Sequence, residues 1–246
     1  MIFQTDVTVR WNETDATLCA RPSQLLVYMQ ETAFHHLDTA GQNFDTLRAE
    51  RGLAFLLTRM TLRFYRPLRS MEKACVQTWV APAHGINFPR FFRIQNEAGE
   101  VSAECASSWV LLDLSTRLPL RASAFTYQFT PEEPLPFATP RRFARPDIMS
   151  QVGTRRILYS DIDYNGHMNN TRYPDMVCDY LPQGIVPRIH TMHLDFVREA
   201  KYGSTLRVFC GEMRNEAGEP CYLVETRNEA DEVCLCAQVL VKEETA

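Results

Sequence analysis

The ten residues from Asp161 to Asn170, DIDYNGHMNN, hold two aspartates, three asparagines and a histidine. A carboxylate and an imidazole set this close suit proton transfer, and an asparagine amide suits donation to a developing oxyanion. Asp163, Asn165 and His167 fall at alternate positions, and comparing the chain with itself adds Glu199 as a fourth candidate. The competing reading is structural. Asp163 and Asn165 could form an Asx turn leading into a helix, with Asn165-Gly166 turning the chain and His167 idle in the turn. Glu199 could be a surface strand residue, and Asp161 is read as a cap or turn residue.

The chain repeats itself. MTLRFYR (Met60 to Arg66) lies over MHLDFVR (Met192 to Arg198), and NEAGEV (Asn96 to Val101) over NEADEV (Asn228 to Val233), both at an offset of 132 residues (192 − 60, 228 − 96). The polar stretch has a counterpart at an offset of 148 (163 − 15), with Asp15 over Asp163 and Glu13 over Asp161. The change of offset (148 − 132) places 16 additional residues in the first copy, expected around TAGQNFDTLRAERG. We therefore expect two copies of one fold, residues 1–129 and 147–246. Between them, residues 130–146 (TPEEPLPFATPRRFARP) have the proline and charge of a linker.

The copies differ where chemistry is concerned. Asp163-x-Asn165-x-His167 stands over Asp15-x-Thr17-x-Cys19, and Glu199 stands over Pro67. The scaffold is shared but the ionisable set occurs once, so chemistry is expected in the C-terminal copy.

Each copy must supply elements to hold these residues. Leu25, Leu26, Tyr28, Met29, Ala33, Phe34 and Leu37 recur at helical spacing, as do Tyr173, Met176, Val177, Tyr180 and Leu181. Asn169 or Asn170 is a plausible N-cap, and Pro174 is tolerable only in the first turn. Alternating strands follow, such as Met192-x-Leu194-x-Phe196, with hairpin turns at the NEAGE and NEADE segments. One apolar helix and a long antiparallel sheet per copy predict an α+β fold, twice. Strict alternation would put Glu199 on the face opposite Leu194 and Phe196, so a bulge, or a site between the two copies, is needed to bring it to the others.

Composition narrows the function. The formal net charge of −4 argues against a basic field for nucleic acid. No apolar run nears the ~20 residues that span a bilayer, and the start MIFQTDVTVRW lacks a signal-peptide pattern. A cytosolic protein with no membrane partner is expected. The eight cysteines contain no Cys-x-x-Cys pair and are read as reduced thiols. His190 and His193, three apart on a strand, face opposite sides and would not share a metal. His35 and His36, adjacent on a helix, are read as packed or exposed. No phosphate loop or Gly-x-Ser-x-Gly elbow is present, so no cofactor is implied.

DIDYNGHMNNTRY followed by LDFVREA resembles the acyl-acyl-carrier-protein thioesterases, plant plastid enzymes and their bacterial relatives, over almost the whole chain. The resemblance implies a tandem hotdog, each unit a sheet wrapped around a central helix. It implies hydrolysis of the thioester joining a fatty acyl chain to the phosphopantetheine of acyl carrier protein, in fatty acid biosynthesis. Asp163, Asn165, His167 and Glu199 fall on the family's catalytic positions. Where many plant members carry a cysteine after the glutamate, this chain has Ala200. The implied roles are a water oriented and deprotonated by Asp163 or Glu199, with His167 sharing it or protonating the leaving sulfur. Asn165, or backbone N–H groups from Asn169 to Thr171, would meet the oxyanion. The acyl tunnel is implied in the N-terminal unit, whose helix offers Tyr28, Met29, Ala33 and Phe34. Arg141, Arg142, Arg145, Arg198 and Lys201 are candidates for docking the acidic carrier. An acyl-coenzyme A thioesterase and a non-catalytic acyl-carrier-binding hotdog stay open beside this reading, as do monomer and homodimer.

Overall fold

The structure, a computed structural model, describes residues 1–137, 139 and 143–243. The chain divides into two compact units, Met1–Thr139 and Pro140–Ala246. The first contains β1 (Phe3–Thr8), α1 (Pro22–Asp38), α2 (Phe44–Arg51), β2 (Leu53–Phe64), β3 (Lys73–Val80), β4 (Phe88–Asn96) and β5 (Val101–Asp113). The second contains β6 (Ser150–Arg156), α3 (Tyr173–Asp179), β7 (Ile189–Phe196), β8 (Thr205–Arg214), β9 (Pro220–Arg227) and β10 (Val233–Val241). Neighbouring strands run antiparallel in the order β1-β3-β4-β5-β2 in the first unit and β6-β8-β9-β10-β7 in the second.

The two orders are the same order. β3 and β8 begin at positions related by the sequence offset, as do β4 and β9 or β5 and β10. Even the backbone's unusual conformations repeat. Leu18 (φ 59°) matches Gly166 (φ 80°), Met71 (φ 64°) matches Gly203 (φ 80°), and Gly99 (φ 79°) matches Asp231 (φ 63°). The duplication is thus one of backbone geometry, with side chains exchanged on a fixed path.

Helix α1 starts with Pro22 in its first turn, where the missing N–H is not needed. It buries Leu25, Leu26, Met29, Ala33 and Leu37 against β1 and β3. Each large side chain so buried is worth about 1.5–3 kcal/mol. The extra residues of the first unit lie where expected. α2, capped by the Asn43 side chain and ended by Gly52 in the left-handed region, has no counterpart in the second unit. There α3 has only 7 residues and stops before Tyr180 and Leu181, although the helical spacing extends to both; Pro182 and Gly184 follow.

The proline-rich segment is less loose than its composition suggests. In the first unit Glu132 N–H donates to the Val80 carbonyl at 2.9 Å, and Trp79 Nε1–H to the Glu133 carbonyl at 2.8 Å. Leu135 is buried with Trp79, Ala81, Phe91 and Ala106. In the second unit Arg145 is ion-paired with Glu225, which is fully buried and also accepts from Arg227 at 2.7 Å. Each end of the segment is stitched to its own unit by polar and apolar contacts together.

Leu18 tests the duplication. A leucine at φ 59° carries a steric cost that a glycine does not, partly offset by glycine's greater unfolded freedom. Leu18→Gly is expected to stabilise the chain by about 0.5–1 kcal/mol, read as a higher urea midpoint at unchanged m-value. A lower midpoint would contradict the equivalence with Gly166.

Candidate active site

The DIDYNGHM stretch folds as a turn that the first unit repeats almost bond for bond. Asp163 Oδ1 accepts the Asn165 backbone N–H at 2.8 Å, as Asp15 Oδ1 accepts that of Thr17 at 2.8 Å. Asp163 N–H donates to the His167 carbonyl at 3.0 Å, and Asp15 N–H to the Cys19 carbonyl at 2.8 Å. Gly166 and Leu18, each with positive φ, occupy the same corner. His167 then bridges to Lys201, and Cys19 to Arg69. The Asx turn is therefore present, and Asp163 makes it. The same bond in a unit lacking the ionisable set gives this aspartate a structural task.

Asp161 is also structural, as expected. It is 3% exposed; Oδ2 accepts the Leu158 N–H at 2.9 Å and Oδ1 a hydrogen bond from Arg155 at 2.6 Å. Its counterpart Glu13 closes the equivalent turn on the Arg10 N–H at 2.7 Å.

Glu199 reaches the turn by a bulge. After β7 ends at Phe196, the N–H groups of Val197 and Arg198 both donate to one carbonyl, that of Cys234, at 2.9 and 3.0 Å. Two residues then face one, and the alternation of sides is broken. The first unit has the same bulge, with Tyr65 and Arg66 on the Ser102 carbonyl. Met168 N–H donates to the Ala200 carbonyl at 2.8 Å, fastening the turn beside it. Glu199 Oε2 consequently lies 3.0 Å from His167 Nε2. The imidazole is 26% and the carboxylate 48% exposed, so solvent reaches both. Asn165 is exposed at the apex of the turn.

The helix start offers fewer oxyanion donors than its sequence promised. Asn169 N–H is bonded to the Asp161 carbonyl at 2.8 Å, and Thr171 N–H to Asn169 Oδ1 at 2.9 Å. Asn169 does cap this turn, but the cap consumes the donor. Beneath it, the Tyr173 hydroxyl is buried beside the Ala200 backbone, and burial pushes its pKa up.

The remaining candidates separate clearly. Tyr28, Met29 and Ala33 are buried and Phe34 half-buried; the Tyr28 hydroxyl donates to Glu13 Oε2 at 2.5 Å. Arg141 and Arg142 lie outside the described residues. Arg145 is committed to Glu225, Arg198 lies 3.3 Å from Glu232, and Lys201 is exposed. All eight cysteines are free thiols. Among the described residues no helix is long and apolar enough to cross a membrane. A shallow groove lined by residues such as Arg145, Ile148 and Met213 contains none of the four candidates. Sequence reasoning passed over His36 as a packed histidine; it proves to be buried beside Arg90.

A helix against an antiparallel sheet, built twice on one backbone plan, defines a double hotdog protein; among the described residues the imidazole–carboxylate pair occurs in the second unit and not at the matching positions of the first. The family models make this specific. The acyl-ACP thioesterase N-terminal domain matches residues 1–124 and the C-terminal domain residues 147–240. The chain belongs to the acyl-ACP thioesterase family. It is similar to the crystal structure of an acyl-ACP thioesterase from Bacteroides thetaiotaomicron, with TM-score 0.86 and 25% identity over 98% of both chains. The 12:0-ACP thioesterase from Umbellularia californica shares the fold, with TM-score 0.76, 18% identity, and coverage of 98% of this chain and 94% of that one. The chloroplastic palmitoyl-acyl carrier protein thioesterase of Arabidopsis thaliana is 25% identical over 224 residues, 84% of this chain and 54% of the relative. The chain spans about half the length of the curated relatives it matches.

Asp163 can be split into its turn-making and its charge. Asp163→Ala is expected to cost about 1 kcal/mol of stability, the worth of one such bond, and Asp15→Ala more, because Asp15 Oδ1 also accepts from the Thr17 hydroxyl at 2.7 Å and the Cys19 N–H at 3.2 Å. Asp163→Asn, whose amide oxygen still accepts from Asn165, is expected to cost little. Denaturant titration of the three variants checks this; a neutral Asp163→Ala would mean the turn does not need the bond.

Proposed function

We propose that this chain hydrolyses the thioester of fatty acyl chains carried on acyl carrier protein, releasing free fatty acid and the carrier's thiol. The observation that carries the proposal is the 3.0 Å contact between His167 and Glu199, on a scaffold whose other copy has Cys19 and Pro67 instead. Family membership supports the reaction class.

In this reading Glu199 and His167 act as one proton-transfer unit. The pair takes a proton from a water as its oxygen bonds the thioester carbon. The C–S bond then breaks, and the same proton goes to the departing sulfur, giving acid and thiol. Ala200 follows Glu199, so no thiol stands at that position to be acylated. Asn165 offers an amide N–H to the oxyanion. Asp163 holds the turn through Oδ1 and presents its second oxygen to the water. The thiol leaving group is good, so a positioned base and one or two donors suffice; a base of this kind is typically worth 10²–10⁴-fold.

The test is hydrolysis of one acyl chain borne by acyl carrier protein and by coenzyme A, following released fatty acid. Higher kcat/KM is expected with the carrier protein, and Glu199→Gln and His167→Gln should each lower kcat by about 10²–10⁴-fold at unchanged stability. A coenzyme A preference would overturn the carrier assignment, and no hydrolysis from either would overturn the reaction.

A further inference from the structure

A cation stands beside the proton-transfer pair. Lys201 is joined to His167 by an antiparallel bridge. The Met168 N–H donates to the Ala200 carbonyl at 2.8 Å on one flank of that bridge, so His167 and Lys201 form a pair of the narrow, non-hydrogen-bonded kind. In such a pair the Cα atoms stand about 4.5 Å apart, and both side chains leave the backbone on one face. The His167 imidazole and the Lys201 stem are therefore neighbours.

The backbone that carries the lysine is fixed on several sides. The Lys201 carbonyl accepts the Ser204 N–H at 3.2 Å and the Ser204 hydroxyl at 2.6 Å. Gly203, at φ 80°, turns the chain, and its N–H donates to the Ile157 carbonyl at 2.9 Å. The Lys201 side chain is exposed, and among the described residues its ammonium enters no ion pair. Glu199, two residues before it, is directed to His167 instead. A positive charge thus lies on the same face as the imidazole without being spent on a carboxylate of its own unit.

Distance decides what this charge can serve. From the sequence, Lys201 is a candidate for docking an acidic carrier. An extended phosphopantetheine arm keeps its phosphate roughly 15 Å from the sulfur, the span of four to five extended residues. The lysine stem reaches only about 5 Å beyond Cβ, four single bonds. With the thioester carbon at His167, the ammonium reaches the carbonyl oxygen and falls well short of the phosphate. The backbone N–H groups of Asn169 and Thr171 are already bonded. Beside the neutral amide of Asn165, a charged donor is roughly twice as strong toward an anionic oxygen.

We propose that Lys201 is a further catalytic residue, whose ammonium meets the oxyanion formed from the thioester carbonyl. As the water oxygen bonds carbon and its proton passes to the His167–Glu199 pair, the carbonyl π electrons move onto oxygen, against the ammonium. Those electrons then restore the C=O bond, the C–S bond breaks, and the proton held by the pair goes to sulfur. Lys201 keeps its own protons throughout. The assignment rests on the thioesterase reading of His167 and Glu199. The first unit supplies a control: Arg69 holds the matching place (201 − 69 = 132), bridged to Cys19, with Pro67 where Glu199 would be.

Kinetics on two substrates separate this role from carrier docking. One is an acyl chain on acyl carrier protein; the other is the same chain as its N-acetylcysteamine thioester, which has neither phosphate nor protein. Lys201→Met is expected to lower kcat about 10²-fold on both, with KM little changed and Tm unmoved. Lys201→Arg, which keeps a cation, should recover at least about tenfold of that loss. Arg69→Met should leave kcat and KM as they are. An intact kcat in Lys201→Met on the carrier substrate overturns the proposal, and a raised KM on that substrate alone would make Lys201 a docking residue instead. A loss that Lys201→Arg does not relieve, or that Arg69→Met reproduces, also overturns it. Wild type that hydrolyses neither thioester sinks the thioesterase reading, and the proposal with it.

Discussion

Two consecutive N–H groups, those of Val197 and Arg198, share the carbonyl of Cys234, and the candidate site depends on that bulge. Without it, the two-residue period of a strand would hold Glu199 on the wrong side. With it, the carboxylate meets His167, whose own position is set by a glycine-cornered turn and by the bridge to Lys201. The site is thus made by a backbone irregularity and a tight turn brought together, and neither element alone would place the pair.

The irregularity does not depend on the chemistry, because the first unit has it too. Tyr65 and Arg66 crowd the Ser102 carbonyl, and Asp15 closes the same Asx turn. There the side chains at the two key positions are Cys19 and Pro67, which cannot exchange protons as a carboxylate–imidazole pair does. One backbone plan therefore serves two tasks. The second unit carries solvent-reachable proton donors and acceptors, and the first spends polar groups inside, around the buried Arg90.

Much of this was legible in the amino-acid order. The offsets of 132 and 148 exposed the duplication, and strands, turns and the extra segment follow it closely. The ionisable set stood out because one copy had it and the other did not. What could not be read were effects of geometry. A bulge has no signature in VREA, so the side on which Glu199 falls was open. The Asx turn of Asp163 stood beside its chemical reading in the sequence, and only the geometry, with Asp15 making the same bond, shows that the turn forms. Of the oxyanion donors expected from Asn169 to Thr171, those of Asn169 and Thr171 are taken by the Asp161 carbonyl and the Asn169 side chain, partners that the fold supplies. Composition marks the proline-rich segment but not its contacts, such as the cluster that Leu135 enters. The burial of Arg90 gave no signal, as an isolated arginine in a strand reads as a surface residue.

The central claim is that His167 and Glu199 act as one unit. A double-mutant cycle on kcat/KM, built from His167→Gln, Glu199→Gln and the pair together, tests it most directly. The account predicts that the double variant is scarcely slower than the slower single one, because removing either partner already disables the unit. Losses that multiply, each substitution costing the same factor in the presence or absence of the other, would contradict it.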